Sequence, residues 1–236
     1  RFRDVPLSRR QFIVAGGLGV TTVALASCAP PTAVAPEAPE RPATSTEEGF
    51  MPEESQPHTT TWMALEASDE IWGADLSGAV RDTLLLIATT IARFEPVRAL
   101  VSPDSTLESP HGNVELIGVE TDDVWMRDIG PVFVSSGGGM AAVDLNFNGW
   151  GGKQEHALDA RVASAVADAA GVDLISTDLV MEGGGLEVDG EGTAIITESC
   201  VLNDNRNPGW TRADVEDELF RLFGVEKVIW LPGIAG

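Results

Sequence analysis

The sequence predicts an α/β domain over residues 49–236, preceded by an export leader and a disordered tether. Three observations predict this. Amphipathic helical patterns recur at three places, short β-type runs punctuated by Gly, Pro and Asn lie between them, and the composition changes abruptly near residue 49. Roughly 190 residues follow the leader, enough for one domain with its own core.

Residues 1–27 carry Ser8-Arg9-Arg10-Gln11-Phe12-Ile13 and then an apolar run to Ala26, too short and too rich in Gly and Thr for a good membrane span. Paired arginines before such a run read as a Tat export signal. The run ends in Leu25-Ala26-Ser27-Cys28, which is similar to the lipobox of bacterial lipoproteins, so Cys28 is the expected lipidation site. The expected localisation is the cell envelope, with membrane contact through the lipid only. Residues 28–48 are dominated by Pro, Ala, Thr and Glu, a composition that cannot build a core and reads as a tether.

Within the domain, residues 79–93 are expected to form a helix with an apolar face through Val80, Leu84, Ile87 and Ile91. Residues 157–170 repeat the pattern through Leu158, Val162 and Val166. Residues 212–223 follow Thr211, an N-cap with Asp214 three positions on. Strands are expected at 61–65, 97–102, 114–119, 131–134, 140–145, 193–197 and 227–231. The recurrence of one helix with several short strands suggests a repeated unit.

Charge narrows the partners. The chain has 37 Asp and Glu against 15 Lys and Arg, a net charge of −22, and its only lysines are Lys153 and Lys227. Such a field repels nucleic acid and anionic headgroups and attracts cations. The acidity reads first as solubility or a salty habitat, and it also suits a cationic substrate. With Cys28 committed to lipid, Cys200 is left alone, which excludes a disulfide framework. No His, Cys and Asp spacing points to a metal, and no cofactor is expected.

Four segments concentrate polar and special residues: Met51-Pro52-Glu53-Glu54 with Pro57-His58 and Thr61-Trp62; Trp125-Met126-Arg127-Asp128-Ile129-Gly130-Pro131; Phe147-Asn148-Gly149-Trp150-Gly151-Gly152; and Glu182-Gly183-Gly184-Gly185 continuing to Cys200-Val201-Leu202-Asn203-Asp204-Asn205-Arg206-Asn207-Pro208. In order and spacing they resemble the agmatine deiminase and bacterial peptidylarginine deiminase family, with its W-x-R-D-x-G-P, F-N-x-W-G-G, E-G-G and C-L-L-N-x-N-R-N-P segments. The resemblance implies a pentein, a five-bladed α/β propeller, of which this chain holds about three ββαβ-type units. It implies a hydrolase in which a Cys thiolate attacks a guanidino carbon, ammonia leaves, and water activated by a His cleaves the intermediate.

Read alone, Asp128 is an acid paired with Arg127 or capping a turn; the resemblance makes it the guanidinium-binding carboxylate. Trp125 is either core packing or the surface against which the substrate lies. Arg127 reads as structural, because a second cation would repel a guanidinium. Glu182 is either a loop acid beside turn glycines or, by resemblance, the residue that orients the catalytic His. The Phe147–Gly152 loop lines the site entrance or simply serves backbone geometry. Cys200 follows a core strand outside the family's nucleophile segment and reads as a buried structural residue. His58, His111 and His156 fall outside the family's His-x-Asp motif.

Both ends of the chain read as cut, and the family's His-x-Asp and nucleophile segments are expected beyond Gly236, so this polypeptide alone is expected to be inert. Agmatine is the first expected substrate and peptidylarginine the second. A guanidino-compound binding lipoprotein and an amidinotransferase are the other classes consistent with the motifs. Oligomeric state is left open.

Overall fold

The computed structural model describes residues 49–234. They fall in one compact unit, Thr44–Gly236; the other unit, Arg1–Ala43, with the expected leader (1–27), Cys28 and most of the tether (28–48), lies outside the described residues. Among the described residues no helix is long and apolar enough to cross a membrane.

The chain builds three three-stranded sheets. The first contains β1 (Thr61–Ala64), β2 (Val97–Val101) and β3 (Val114–Gly118), all parallel, with a short helix α1 (Asp69–Trp72) and the long helix α2 (Ser77–Ile91) crossing between β1 and β2. A single turn, α3 (Met126–Ile129), leads to the second sheet. There β4 (Val132–Ser136) and β5 (Gly139–Val143) form a hairpin. A turn labelled α4 (Gly149–Gly152), a 3₁₀ turn (Asp159–Arg161) and helix α5 (Val162–Ala170) then return the chain to β6 (Asp173–Ile175), parallel to β5. The third sheet repeats the second: hairpin β7 (Leu186–Val188) and β8 (Thr193–Thr197), then a single-turn helix α6 (Glu198–Val201), helix α7 (Arg212–Phe223), and β9 (Lys227–Leu231) parallel to β8. Among the described residues no sheet closes into a barrel.

The expected repeat is therefore present, with one departure. The second and third units are ββαβ, whereas the first is all parallel and reaches β3 without a hairpin. Strands β6 and β7 were not expected from the sequence. Each is three residues long, too short to show an alternation.

Helices and sheets alternate through the core. Val97, Ala99 and Val101 of β2 face Leu84, Leu85, Ala88, Ile91 and Ala92 of α2, while Ala64 and Leu100 meet Val162 and Val166 of α5. Burial on both faces is what a parallel strand such as VRALV requires. Helix α5 also packs against Phe133 of the second sheet, and α7 lies between the second and third sheets, with Val215, Leu219 and Leu222 against Val132, Val143, Ala194 and Ile196. Fully burying each of the Val, Leu, Ile and Phe side chains contributes about 1.5–3 kcal/mol, and each Ala less.

The expected apolar face of α2 needs correction. Ile87 is 42% exposed, and Leu85, Ala88 and Ala92 complete the buried face instead. Leu84 to Ile87 is an uninterrupted apolar run, so periodicity could not select the face that packs. Helix α7 begins as expected: Thr211 accepts from the Asp214 amide, and Asp214 accepts in return from the Thr211 amide. Gly224 ends it with φ 67°.

Candidate active site

The site residues come from the connections between strands. Asp128 stands on α3, after the first sheet. Its Oδ1 accepts from the amide of Gly184 at 3.1 Å, and its Oδ2 accepts from Trp150 Nε1 at 3.1 Å. Arg127 points elsewhere, forming an ion pair with Glu54 at a half-exposed position. The simple pairing of Asp128 with Arg127 is thus set aside: among the described residues Asp128 has N–H donors and no ion-pair partner.

The glycines after Glu182 allow this approach. A Cβ on Gly184 would lie 2.2 Å from Asp128 Oδ1, and one on Gly183 would lie 2.6 Å from the Arg127 carbonyl oxygen. The E-G-G segment therefore docks its backbone directly against α3, delivering an amide to the carboxylate.

Trp125 caps the N-terminal side of α3 and is 48% exposed, so its ring is not core packing. Trp72 lies beside it, with centroids 6.2 Å apart and planes tilted by 30°. Trp72 is held in turn by Asp123, which is almost fully buried. Asp123 Oδ1 accepts from Trp72 Nε1 at 2.8 Å and from its neighbour's amide at 2.9 Å, and Oδ2 accepts from Gln154 Nε2 at 3.0 Å. The segment before Asp128 is fixed further by reciprocal bonds: Asp122 Oδ2 accepts from the Leu158 and Asp159 amides, and Asp159 Oδ1 accepts from the Asp122 and Asp123 amides. Asp159 is completely buried and its Oδ2 has no partner. Burial, with lesser help from the charges of Asp122 and Asp123, pushes its pKa up to about 6 against the opposing pull of the two amides.

Glu182 is buried, and Arg206 closes on it with Nε and Nη2 both 2.9 Å from Oε1; each side chain is only 7% exposed. Burial raises the Glu182 pKa, Arg206 opposes the shift, and the charge of Asp128 adds to it. Asn207, next in sequence, fastens the extended segment leading to Glu182: Val180 donates to its Oδ1 at 2.9 Å, and its Nδ2 donates to the Val180 and Val201 carbonyls. The sequence motif that contains Arg206 and Asn207 assigns neither a role. Their partners are 24 and 27 residues away, a relation no local pattern carries.

The F-N-G-W-G-G loop reaches the site through Trp150. Residues 149 to 152 all have positive φ (69°, 56°, 83° and 72°), so α4 is one left-handed turn. Asn148 and Asn205 stitch it: Gly151 donates to Asn148 Oδ1 at 2.8 Å, Asn148 Nδ2 to the Asn205 carbonyl at 2.9 Å, and Asn205 Nδ2 to the Gly151 carbonyl at 3.2 Å.

Cys200 sits on α6, half-buried rather than buried as the sequence suggested, and takes no part in the contacts of Asp128 or Glu182. His58 is exposed beside Glu95, and His111 and His156 make local loop contacts. Among the described residues no group of His, Cys, Asp and Glu could hold a metal ion. A cleft of about 400 Å³ adjoins α3, but it is lined by Met51, Trp62, Met126, Arg127 and Phe133, and Asp128 is not part of it. The chemistry of Asp128 and Trp125, not that cleft, marks the site.

The chain is similar to known proteins. A Streptomyces coelicolor protein described provisionally as an agmatine deiminase is 44% identical over 197 residues, covering 79% of this chain and 57% of its own length. The agmatine deiminase of Stutzerimonas stutzeri is 37% identical over 196 residues, covering 78% of this chain and 52% of its own. The solved agmatine deiminase of Enterococcus faecalis superposes with a TM-score of 0.73 at 31% identity, over 78% of this chain and 53% of that one. The chain thus spans about half the length of the relatives it matches. Residues 50–236, from the first described strand contact through all three sheets and both site carboxylates, match the profile of Porphyromonas-type peptidyl-arginine deiminases, and the chain belongs to that family.

Proposed function

We propose that the full-length protein is a guanidine deiminase that hydrolyses agmatine to N-carbamoylputrescine and ammonia, a step toward putrescine. The observation that carries this reading is Asp128: among the described residues a carboxylate without a counter-cation, its oxygens aligned by two N–H donors, one helical turn after Trp125, whose side chain is half-exposed. A guanidinium is planar, permanently charged and able to bond a carboxylate through two parallel N–H groups, while an indole face accepts the cation or its alkyl chain. Holding the guanidino carbon in one place is the main task of such a site, because attack requires a near-contact geometry. Glu182 is suited to stabilising a cationic base: it is buried, and Arg206 engages only its Oε1.

In the net reaction a water oxygen replaces one guanidino nitrogen, which leaves as ammonia. We assign the nucleophile and base to the part of the relatives' length that this chain does not span, and the fold to a pentein of which this chain supplies about three units. Ammonia release by the full-length protein from agmatine, compared with an arginine-containing peptide, tests the reading. Asp128→Ala is expected to lower kcat/KM by at least about 10³-fold, the scale of losing a main electrostatic contact to the reacting group. Ammonia release by the 49–236 polypeptide alone, abolished by the same substitution, would place all the chemistry here.

A second reading, peptidylarginine deiminase, is favoured by the leader: an enzyme exported by the Tat pathway and anchored through Cys28 meets peptides more readily than cytoplasmic amines. Faster turnover of the peptide than of agmatine would select it. Lipid labelling that survives Cys28→Ala would remove the anchor from this reading. Binding of agmatine without ammonia release would instead identify a guanidino-binding lipoprotein.

A further inference from the structure

Asp128 is steered by a residue that the guanidinium reading does not by itself require. Trp150 donates its indole N–H to Oδ2 while the Gly184 amide serves Oδ1, one donor on each oxygen. A carboxylate has about four acceptor positions. Two donors that fix the plane leave one position on each oxygen, the pair needed for a bidentate guanidinium.

The backbone at Trp150 departs from what its residue type favours. Its φ of 56° and ψ of 41° put a bulky aromatic in the left-handed region, at a cost of about 1–2 kcal/mol. Such outliers persist only where their surroundings over-determine them, and they cluster at functional sites. Here the surroundings are explicit. Phe147 meets the ring edge-on at 4.9 Å, and Asn148 and Asn205 bind the flanking Gly151 from both sides. A Cβ on Gly151 would lie 2.2 Å from Asn205 Nδ2, so the loop and the Asn205 segment are in direct contact. Packing against Phe147 accounts for a ring at this position. It does not account for an indole rather than a phenyl group.

We propose that Trp150 is a positioning residue for guanidinium binding, holding the Asp128 carboxylate through its indole N–H so that both oxygens face the substrate together. The proposal rests on the deiminase reading of the site. Trp150→Phe keeps the ring and removes the donor. In the full-length protein it is expected to weaken agmatine binding, measured by titration calorimetry, about 10- to 100-fold, the worth of one hydrogen bond to a charged acceptor. KM should rise in parallel, with the unfolding midpoint preserved. In an Asp128→Asn background the same change should have an effect under about twofold, because the two residues act as one unit. Gly184→Ala, which crowds Oδ1 from the other side, should weaken agmatine binding while leaving Trp150 in place.

Binding by Trp150→Phe within twofold of wild type, or an equal loss in both backgrounds, overturns the proposal and assigns Trp150 to packing. Should Trp150→Phe fail to fold, the indole ¹⁵N–¹H resonance of Trp150 decides: it should move on Asp128→Asn, and an unmoved resonance overturns the proposal. Wild-type protein that neither binds nor turns over agmatine or an arginine peptide overturns the deiminase reading itself, and the guanidinium role of Trp150 with it. Wild-type turnover with an unaffected Trp150→Phe overturns the positioning role alone.

Discussion

Arg206 and Glu182 form the most buried ion pair among the described residues. Each is nearly closed to solvent, so neither charge is tolerable without the other. Arg206→Met should cost about 3–5 kcal/mol in urea unfolding, since it strands a buried carboxylate. The double variant Arg206→Met with Glu182→Gln should recover much of that loss, and equal destabilisation in both would contradict the pairing. Trp125, Asp128 and Glu182 stand out in the sequence because their motifs are contiguous and resemble those of a known family; their roles at the site are proposals. Arg206, Asn205 and Trp150 lie in those same motifs, yet their roles were not legible. Their partners are 24, 54 and 22 residues away, and only the fold makes them neighbours.

Among the elements, the 3₁₀ turn Asp159–Arg161 carries a buried acid that gives the fold a pH dependence. The folded pKa of Asp159, about 6, lies above the roughly 3.9 of an unfolded aspartate. Between those values the folded chain keeps a proton that the unfolded chain has lost. The stability contributed by this group is therefore greatest below about pH 4 and falls as pH rises through 6. Asp159→Asn removes the titration while keeping an acceptor for the Asp122 and Asp123 amides. It is expected to exceed wild type in unfolding midpoint at pH 8, with the gap narrowing toward pH 4, and a gap independent of pH would contradict the assignment. Helix existence was well specified at this scale: Thr211 with Asp214, and apolar spacing in α5 and α7, are local signals. The packed face of α2 was not, because four consecutive apolar residues satisfy more than one face.

At the scale of the whole unit, the alternation of helix and sheet leaves one layer uncovered among the described residues. On the third sheet Ile195 and Ile229, paired across the ladder, are 42% and 40% exposed, and Leu231 follows at 48%. An uncovered apolar sheet face of this kind is adhesive. A polypeptide ending at residue 236 is expected to self-associate with rising concentration in sedimentation experiments, and Ile195→Thr with Ile229→Lys should suppress this. Association unchanged by that pair would move the adhesive surface elsewhere, with the exposed Leu86 and Ile87 of α2 the alternative. The repeated unit was foreseen from the spacing of helices; the sharing of α5 and α7 between neighbouring sheets was not, because it depends on which faces meet.

The connections that carry the site belong to different sheets: Asp128 follows the first, Trp150 lies between β5 and β6 of the second, Glu182 joins the second to the third, and Arg206 lies between β8 and β9 of the third. Their alignment is thus a gauge of how the layers are stacked. A slip between sheets too slight to alter helix content would still part Asp128 from Trp150. Guanidino-ligand affinity should accordingly fade at lower denaturant than the circular dichroism of the helices, and a bound guanidinium should act as a clamp that delays the slip.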